Sequence, residues 1–169
     1  MNGRPAFAAG AWLFAVACAA SLVVAPATAA IVVRCSASAG SINFGVYNPL
    51  AGTGDASVGT LMVNCSGSGR GSTRITIGVS LSPGLSGNYG VRKMLSGASA
   101  LDYNIYWDPQ HTIVMGDGTG GSYSGTAGPI TIFNGGTVQA TGTMYGYVPA
   151  RQNPNPGSYV DVITVTVTY

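Results

Sequence analysis

The chain has 169 residues, of which only 7% are charged, with 26 glycines and a formal net charge of +2. No glutamate occurs, Lys93 is the only lysine and the five acids are all aspartates. Strong surface-helix formers are therefore nearly absent, which excludes a helical protein and favours strands of Val, Ile, Thr and Tyr. Arg34, Arg70, Arg74, Arg92, Lys93 and Arg151 are spread along the chain, not gathered among aromatics, so they read as solvated loop charges and not as a nucleic-acid footprint.

In chain order, the first element is an export signal. Arg4 supplies a positive start, residues 6–24 are apolar, and Ala27-Thr28-Ala29 fits a small-x-small cleavage site. Cleavage after Ala29 or Ala30 divides the chain into a removed signal, 1–30, and one domain, 31–169. A second candidate site, Ala17-Cys18-Ala19, lies earlier, and Cys18 reads as signal filler. The membrane is then crossed only during export, since no later segment is long and apolar enough to span. Two cysteines remain, Cys35 and Cys65, thirty residues apart in an oxidising compartment, where a pair is expected to bridge. Such a bridge stabilises by roughly 3–4 kcal/mol on the chain-entropy view.

Short alternating segments follow, punctuated by Gly, Pro, Asn and Ser. Strands are predicted over 41–47, ending at Asn48-Pro49, and over 60–65, carrying the second cysteine. The segment 74–81 alternates cleanly, with Ile75, Ile77, Val79 and Leu81 on one face, before Pro83-Gly84. Further strands are predicted over 89–95, 101–107, 112–115, 130–133, 137–148 and 159–169, with a Gly-rich loop over 116–128. The last places Ile163, Val165, Val167 and Tyr169 on one face and Thr164, Thr166 and Thr168 on the other. Seven to nine strands and no helix predict an all-β, immunoglobulin-like antiparallel β-sandwich, complete or one strand short, closed by one disulfide.

Chemistry has few footholds. His111 is the only imidazole and no G-x-S-x-G elbow accompanies it. Asp55, Asp102, Asp108, Asp117 and Asp161 suit turn and strand-end roles better than a hydrolytic pair. The loop from Gly116 lacks the Lys-Ser/Thr of a phosphate loop, and one carboxylate, Asp117, is too few for Ca²⁺. No catalytic, cofactor or metal residue is assigned, and the chain reads as no enzyme. Tyr103, Tyr106, Trp107, Tyr145 and Tyr147 form an aromatic set expected mostly in the core, any outward remainder being a contact patch.

Several blocks carry a resemblance. Cys35 is followed by Phe44-Gly45-Val46-Tyr47-Asn48-Pro49-Leu50 and by Cys65; then come Arg92-Lys93-Met94 and Leu101-Asp102-Tyr103-Asn104-Ile105-Tyr106. Gly116-Asp117-Gly118-Thr119, Tyr145-Gly146-Tyr147-Val148-Pro149-Ala150, and Gly157-Ser158-Tyr159-Val160-Asp161 with the close at Tyr169 complete the series. In order and spacing these resemble the spore coat protein U family, related to archaic (Csu-type) chaperone–usher pilus subunits. The resemblance implies a secreted sandwich assembled at the cell surface, often in adhesion or biofilm formation. Its implied partners are a periplasmic chaperone, an usher and neighbouring subunits, without nucleic acid or cofactor. Assembly in such pili is strand addition to a sandwich lacking one strand. After cleavage at Ala30 only Ile31-Val32-Val33-Arg34 precede Cys35, too short a tail to donate a strand, which suits a tip subunit or a coat protein. The alternative is a freestanding secreted sandwich that binds glycan or coat material.

Overall fold

The computed structural model describes residues 30–169, so Cys18 and the signal segment up to Ala29 lie outside the described residues. Eight strands form two antiparallel sheets: β1 (Val32–Ala39), β2 (Asp55–Ser68), β3 (Ser72–Leu81), β4 (Arg92–Ser96), β5 (Ser99–Tyr106), β6 (Gly125–Phe133), β7 (Thr137–Val148) and β8 (Val165–Thr168). One sheet has the order β1-β2-β7-β5-β4 and the other β6-β3-β8. The only helical turn described is a 3₁₀ turn at Gly84–Ser86.

Alternation decides which side chains face inward. In β2, Leu61, Val63 and Cys65 are buried between exposed Thr60, Asn64 and Ser66, and in β3 Ile77 and Leu81 are buried. The core has two parts. One gathers Leu61, Leu81, Met94, Leu101, Tyr103, Ile105, Met115, Met144 and Val148; the other gathers Val63, Cys65, Ile77 and Ile132. Cys35 and Cys65 face each other in the β1–β2 register and are joined by the disulfide. It ties an otherwise exposed edge strand to the sheet.

Five predicted elements are corrected. Residues 32–34, read as a tail, pair in turn with Ser68, Gly67 and Ser66 and open β1, because their alternation continues straight into Cys35. Residues 41–47 are not a strand: the backbone leaves β2 after Gly40, whose N–H donates to the Thr60 carbonyl at 2.8 Å. Residues 112–115 make only single bridges, Tyr106–Val114 and Met115–Tyr123. The Gly-rich loop ends early, since Gly125 already pairs with Val79 in β6. The last strand forms over Val165–Thr168 alone, as β8.

Arg92 is corrected as well. It is fully buried, not a loop charge, and its guanidinium donates to the carbonyls of Ser82 and Met115 and to Asn104 Oδ1 at 2.6–3.3 Å. Four of its five N–H donors are used, which makes a buried cation tolerable, although desolvation still lowers its pKa. Lys93, one residue on, points to the opposite face and pairs with Asp102 at 2.6 Å.

Candidate functional site

Along one side the two sheets part, leaving a cleft of about 430 Å³. One wall is the chain leaving β1, Ala39, Gly40, Ser41, Ile42 and Phe44; the other is the segment running into β8, residues 159–165. Leu81, Met94, Tyr103, Ile105 and Met144 form the floor, so the cleft opens directly onto the core. Small residues on the first wall leave room for inserted side chains.

The second wall is strand-like in pattern but not in pairing. Tyr159 and Ile163 pack against the core, while Val160 and Val162 are 62% and 70% exposed. Val160 exchanges main-chain hydrogen bonds with Leu95, and the Ser82 N–H donates to the Thr164 carbonyl. Between them, the backbone of Asp161, Val162 and Ile163 makes no main-chain hydrogen bond among the described residues. A free edge of this kind beside an apolar floor is a template for another strand.

The cleft has one polar spot. Asp161 accepts from the Tyr103 hydroxyl at 2.7 Å, from the Leu85 N–H at 2.9 Å and from the Val162 N–H at 2.7 Å. Desolvation first, then the bond to Asp161, pushes the Tyr103 phenol well above its ordinary range. The carboxylate is thus occupied in joining the wall to the floor and to the 3₁₀ turn. Among the described residues no three His, Cys, Asp or Glu side chains come together as metal ligands. The geometry is built for contact.

The family model of the Spore Coat Protein U domain matches residues 20–166. This chain belongs to the spore coat protein U family. It is 31% identical over 149 residues to Protein U of Myxococcus xanthus, covering 79% of this chain and 74% of that protein. Its fold is similar to a chain in the crystal structure of the CsuC–CsuE chaperone–tip adhesion subunit pre-assembly complex from archaic chaperone–usher Csu pili of Acinetobacter baumannii. There the TM-score is 0.51 at 20% identity, over 82% of this chain and 40% of that chain. The present chain thus spans less than half the length of that neighbour.

The spore coat protein U blocks divide between cleft, frame and outer face. Phe44, Tyr103, Tyr159 and Asp161 line the cleft, with Phe44 edge-on to Tyr103 at 6.0 Å. Gly146 lies beneath the first wall, where a Cβ would come within 2.6 Å of Ile42 and 2.7 Å of Phe44, so only glycine fits without a shift. Gly45, at φ 73°, lets the loop turn, and the Tyr47 hydroxyl donates to the Pro149 carbonyl while accepting from the Gln152 N–H. Asn104 accepts from Arg92 and donates to the Tyr89 carbonyl. Gly116, Asp117 and Gly118 shape a turn in which Asp117 accepts from Thr119, and Gly157 lies against Ser96. Tyr169 is 56% exposed.

The aromatic set splits against expectation. Tyr103 is buried and Trp107 packs on the core, but Tyr106, Tyr145 and Tyr147 are half-buried on the outer face of the five-stranded sheet. They stand there with His111, because even positions of β5 and odd positions of β7 from Tyr145 point outward. The cleft residues that sequence reasoning did not single out are Ala39, Ile42 and Met144, whereas Met94 belongs to the quoted Arg92-Lys93-Met94 block. Of these, Ile42 was on the correct alternating face, and the others carried no signal beyond being apolar or small.

Proposed function

We propose that this chain is an exported structural and adhesive cell-surface protein, a subunit of a chaperone–usher pilus or a spore-coat-like assembly built by β-strand complementation. The observation that carries this reading is the strand-patterned segment 159–164, whose residues 161–163 have no main-chain partner among the described residues, forming one wall of a cleft whose floor is the core. An incoming segment would pair with that backbone and place alternate apolar side chains on Leu81, Met94, Ile105 and Met144. In this reading the partners are a periplasmic chaperone, an usher and neighbouring subunits. Residues 1–30 direct export to the periplasm and are removed, and domain 31–169 continues to the cell surface. The likeness to a chain of the Csu complex, named for a chaperone and a tip adhesion subunit, supports those partner classes. Val32, Val33 and Arg34 are engaged with β2, so the role assigned is that of strand acceptor. The work is binding, with no chemistry of its own.

The test uses the oxidised, exported protein with a peptide of about ten residues alternating valine and threonine, the length of a full strand. Saturating peptide at about 100 times its Kd should add about 2.7 kcal/mol of stability in urea and protect the Ile163 amide from exchange. A stable monomer that gains nothing from any alternating peptide would sink the reading.

A further inference from the structure

The outer face of the five-stranded sheet is unlike the rest of the surface. Register sets Val58 of β2, Tyr145 of β7 and Tyr106 of β5 side by side, with Tyr147 one row further along. The His111 ring stacks on Tyr147 at 4.7 Å and 26°, and meets Tyr106 edge-on at 5.3 Å. His111 holds φ at 59°, a left-handed conformation rare outside glycine, and its N–H donates to the Asp108 carbonyl at 3.1 Å. A strained turn therefore keeps the imidazole over the sheet.

Three features define what this face suits. Among the described residues Tyr145 has no aromatic partner, and no hydrogen bond engages the hydroxyls of Tyr106, Tyr145 or Tyr147. Asp108, whose charge is felt at Tyr106, accepts from the N–H groups of Thr112 and Ile113 and from the Thr112 hydroxyl. The patch is therefore aromatic and rich in free hydroxyls, with its neighbouring carboxylate tied into the 108–113 turn, flanked by exposed Thr60 and Thr143. The cation on this face, Lys93, is already paired with Asp102, so an anionic ligand finds no free counter-charge, and a protein partner finds little aliphatic surface beyond Val58, at 62% exposure, and the methyl group of Ala56.

We propose that Tyr145, framed by Tyr106, Tyr147 and His111, is a binding platform for a neutral pyranose glycan, whose C–H face stacks on the ring while its hydroxyls bond the phenols. Aromatic ring faces carry partial negative charge that attracts polarised C–H groups, and phenols both donate and accept. The platform lies on the sheet's outer face and the cleft opens between the sheets, so this site does not depend on strand acceptance.

His111, the chain's only histidine, is a unique reporter. Full exported protein is titrated with cellohexaose and chitohexaose while its imidazole proton resonances are followed by NMR. The expected result is a saturable shift with Kd of about 1 mM, weakened about tenfold in Tyr145→Ala and a few-fold in Tyr145→Phe, which keeps the ring. Imidazole resonances unmoved by either oligosaccharide at about 10 mM, or moved only by the anionic hexagalacturonate, overturn the proposal. So does a Tyr145→Ala protein that is folded and binds as well as the parent. Should Tyr145→Ala not fold, the parent titration and Tyr145→Phe decide.

Discussion

The two halves of the C-terminal segment have the same alternation and different fates. Val165, Val167 and their outward threonines form β8 against β3, while Tyr159, Asp161 and Ile163, with outward Val160 and Val162, form no strand. Propensity cannot explain the difference, because both halves are rich in strand formers. A neighbour does. β3 ends at Leu81, and Ser82-Pro83-Gly84 turns away into the 3₁₀ turn, so residues 159–163 have no strand backbone opposite them on that side. Side-chain pattern selects the face, whereas hydrogen-bonded pairing makes the strand. The outward residues differ in kind too: threonine where the segment pairs with β3, valine at 62% and 70% exposure where it does not. One half is finished for water and the other is not.

Two changes to the frame should erase the distinction by removing the cleft. The largest effect is expected from Cys35→Ser with Cys65→Ser, which frees β1 and with it the wall that continues from Ala39. Loss of about 2–5 kcal/mol in urea unfolding is expected, together with loss of the response to strand peptide. A double variant that still gains stability from the peptide would show that the wall stands without its tie. Next comes Gly146→Val, whose side chain must displace Ile42 and Phe44. About 2 kcal/mol of destabilisation is expected, measured the same way. A neutral result would mean that the first wall moves freely.

A third measurement sharpens the contrast without altering the protein. Hydrogen exchange should be at least about a hundredfold faster at the Asp161 and Ile163 amides than at the slowest amide of β8, since local openings reflect local pairing. Strand peptide should reduce that gap by slowing the first two. Equal rates in the free protein would mean that residues 161–163 are already paired in solution.

How far the sequence reaches follows the same physical line. β7 was legible to the residue, because alternation over 137–148 is long and both its neighbours are strands. The disulfide was legible from the predicted export signal and the cysteine count. Residues 41–47 alternate as cleanly, yet Ile42 and Phe44 pack inward from an irregular backbone, so burial periodicity there did not imply pairing. Arg92 was misread because a charge buried by carbonyls and Asn104 leaves no mark in composition. The tyrosines were misplaced for a different reason: period-two alternation fixes relative faces, and nothing in Tyr145 or Tyr147 says which face is inward. The cleft itself is a missing neighbour, and a sequence records the residues that want one without recording its absence.

The smallest predicted effect tests how dry the cleft floor is, and its sign can be worked out. The folded protein holds the Tyr103 phenol above the ordinary value of 10.0, by desolvation and by its bond to Asp161. Below about pH 10 the phenol is neutral whether the chain is folded or not, and the stabilisation is fully present. Above it the unfolded chain releases a proton that the folded one retains, so stability falls by up to about 1.4 kcal/mol per pH unit for this group. Tyr103→Phe is expected to lose about 1 kcal/mol at neutral pH through the missing hydrogen bond, yet to decline less steeply above pH 10. Tyr106, also raised by burial, lies on the outer face and its share of the alkaline slope stays in both proteins. Identical slopes in parent and Tyr103→Phe would mean that water reaches the phenol. An incoming strand would then meet a hydrated floor, and its alternate apolar side chains would gain correspondingly less from insertion.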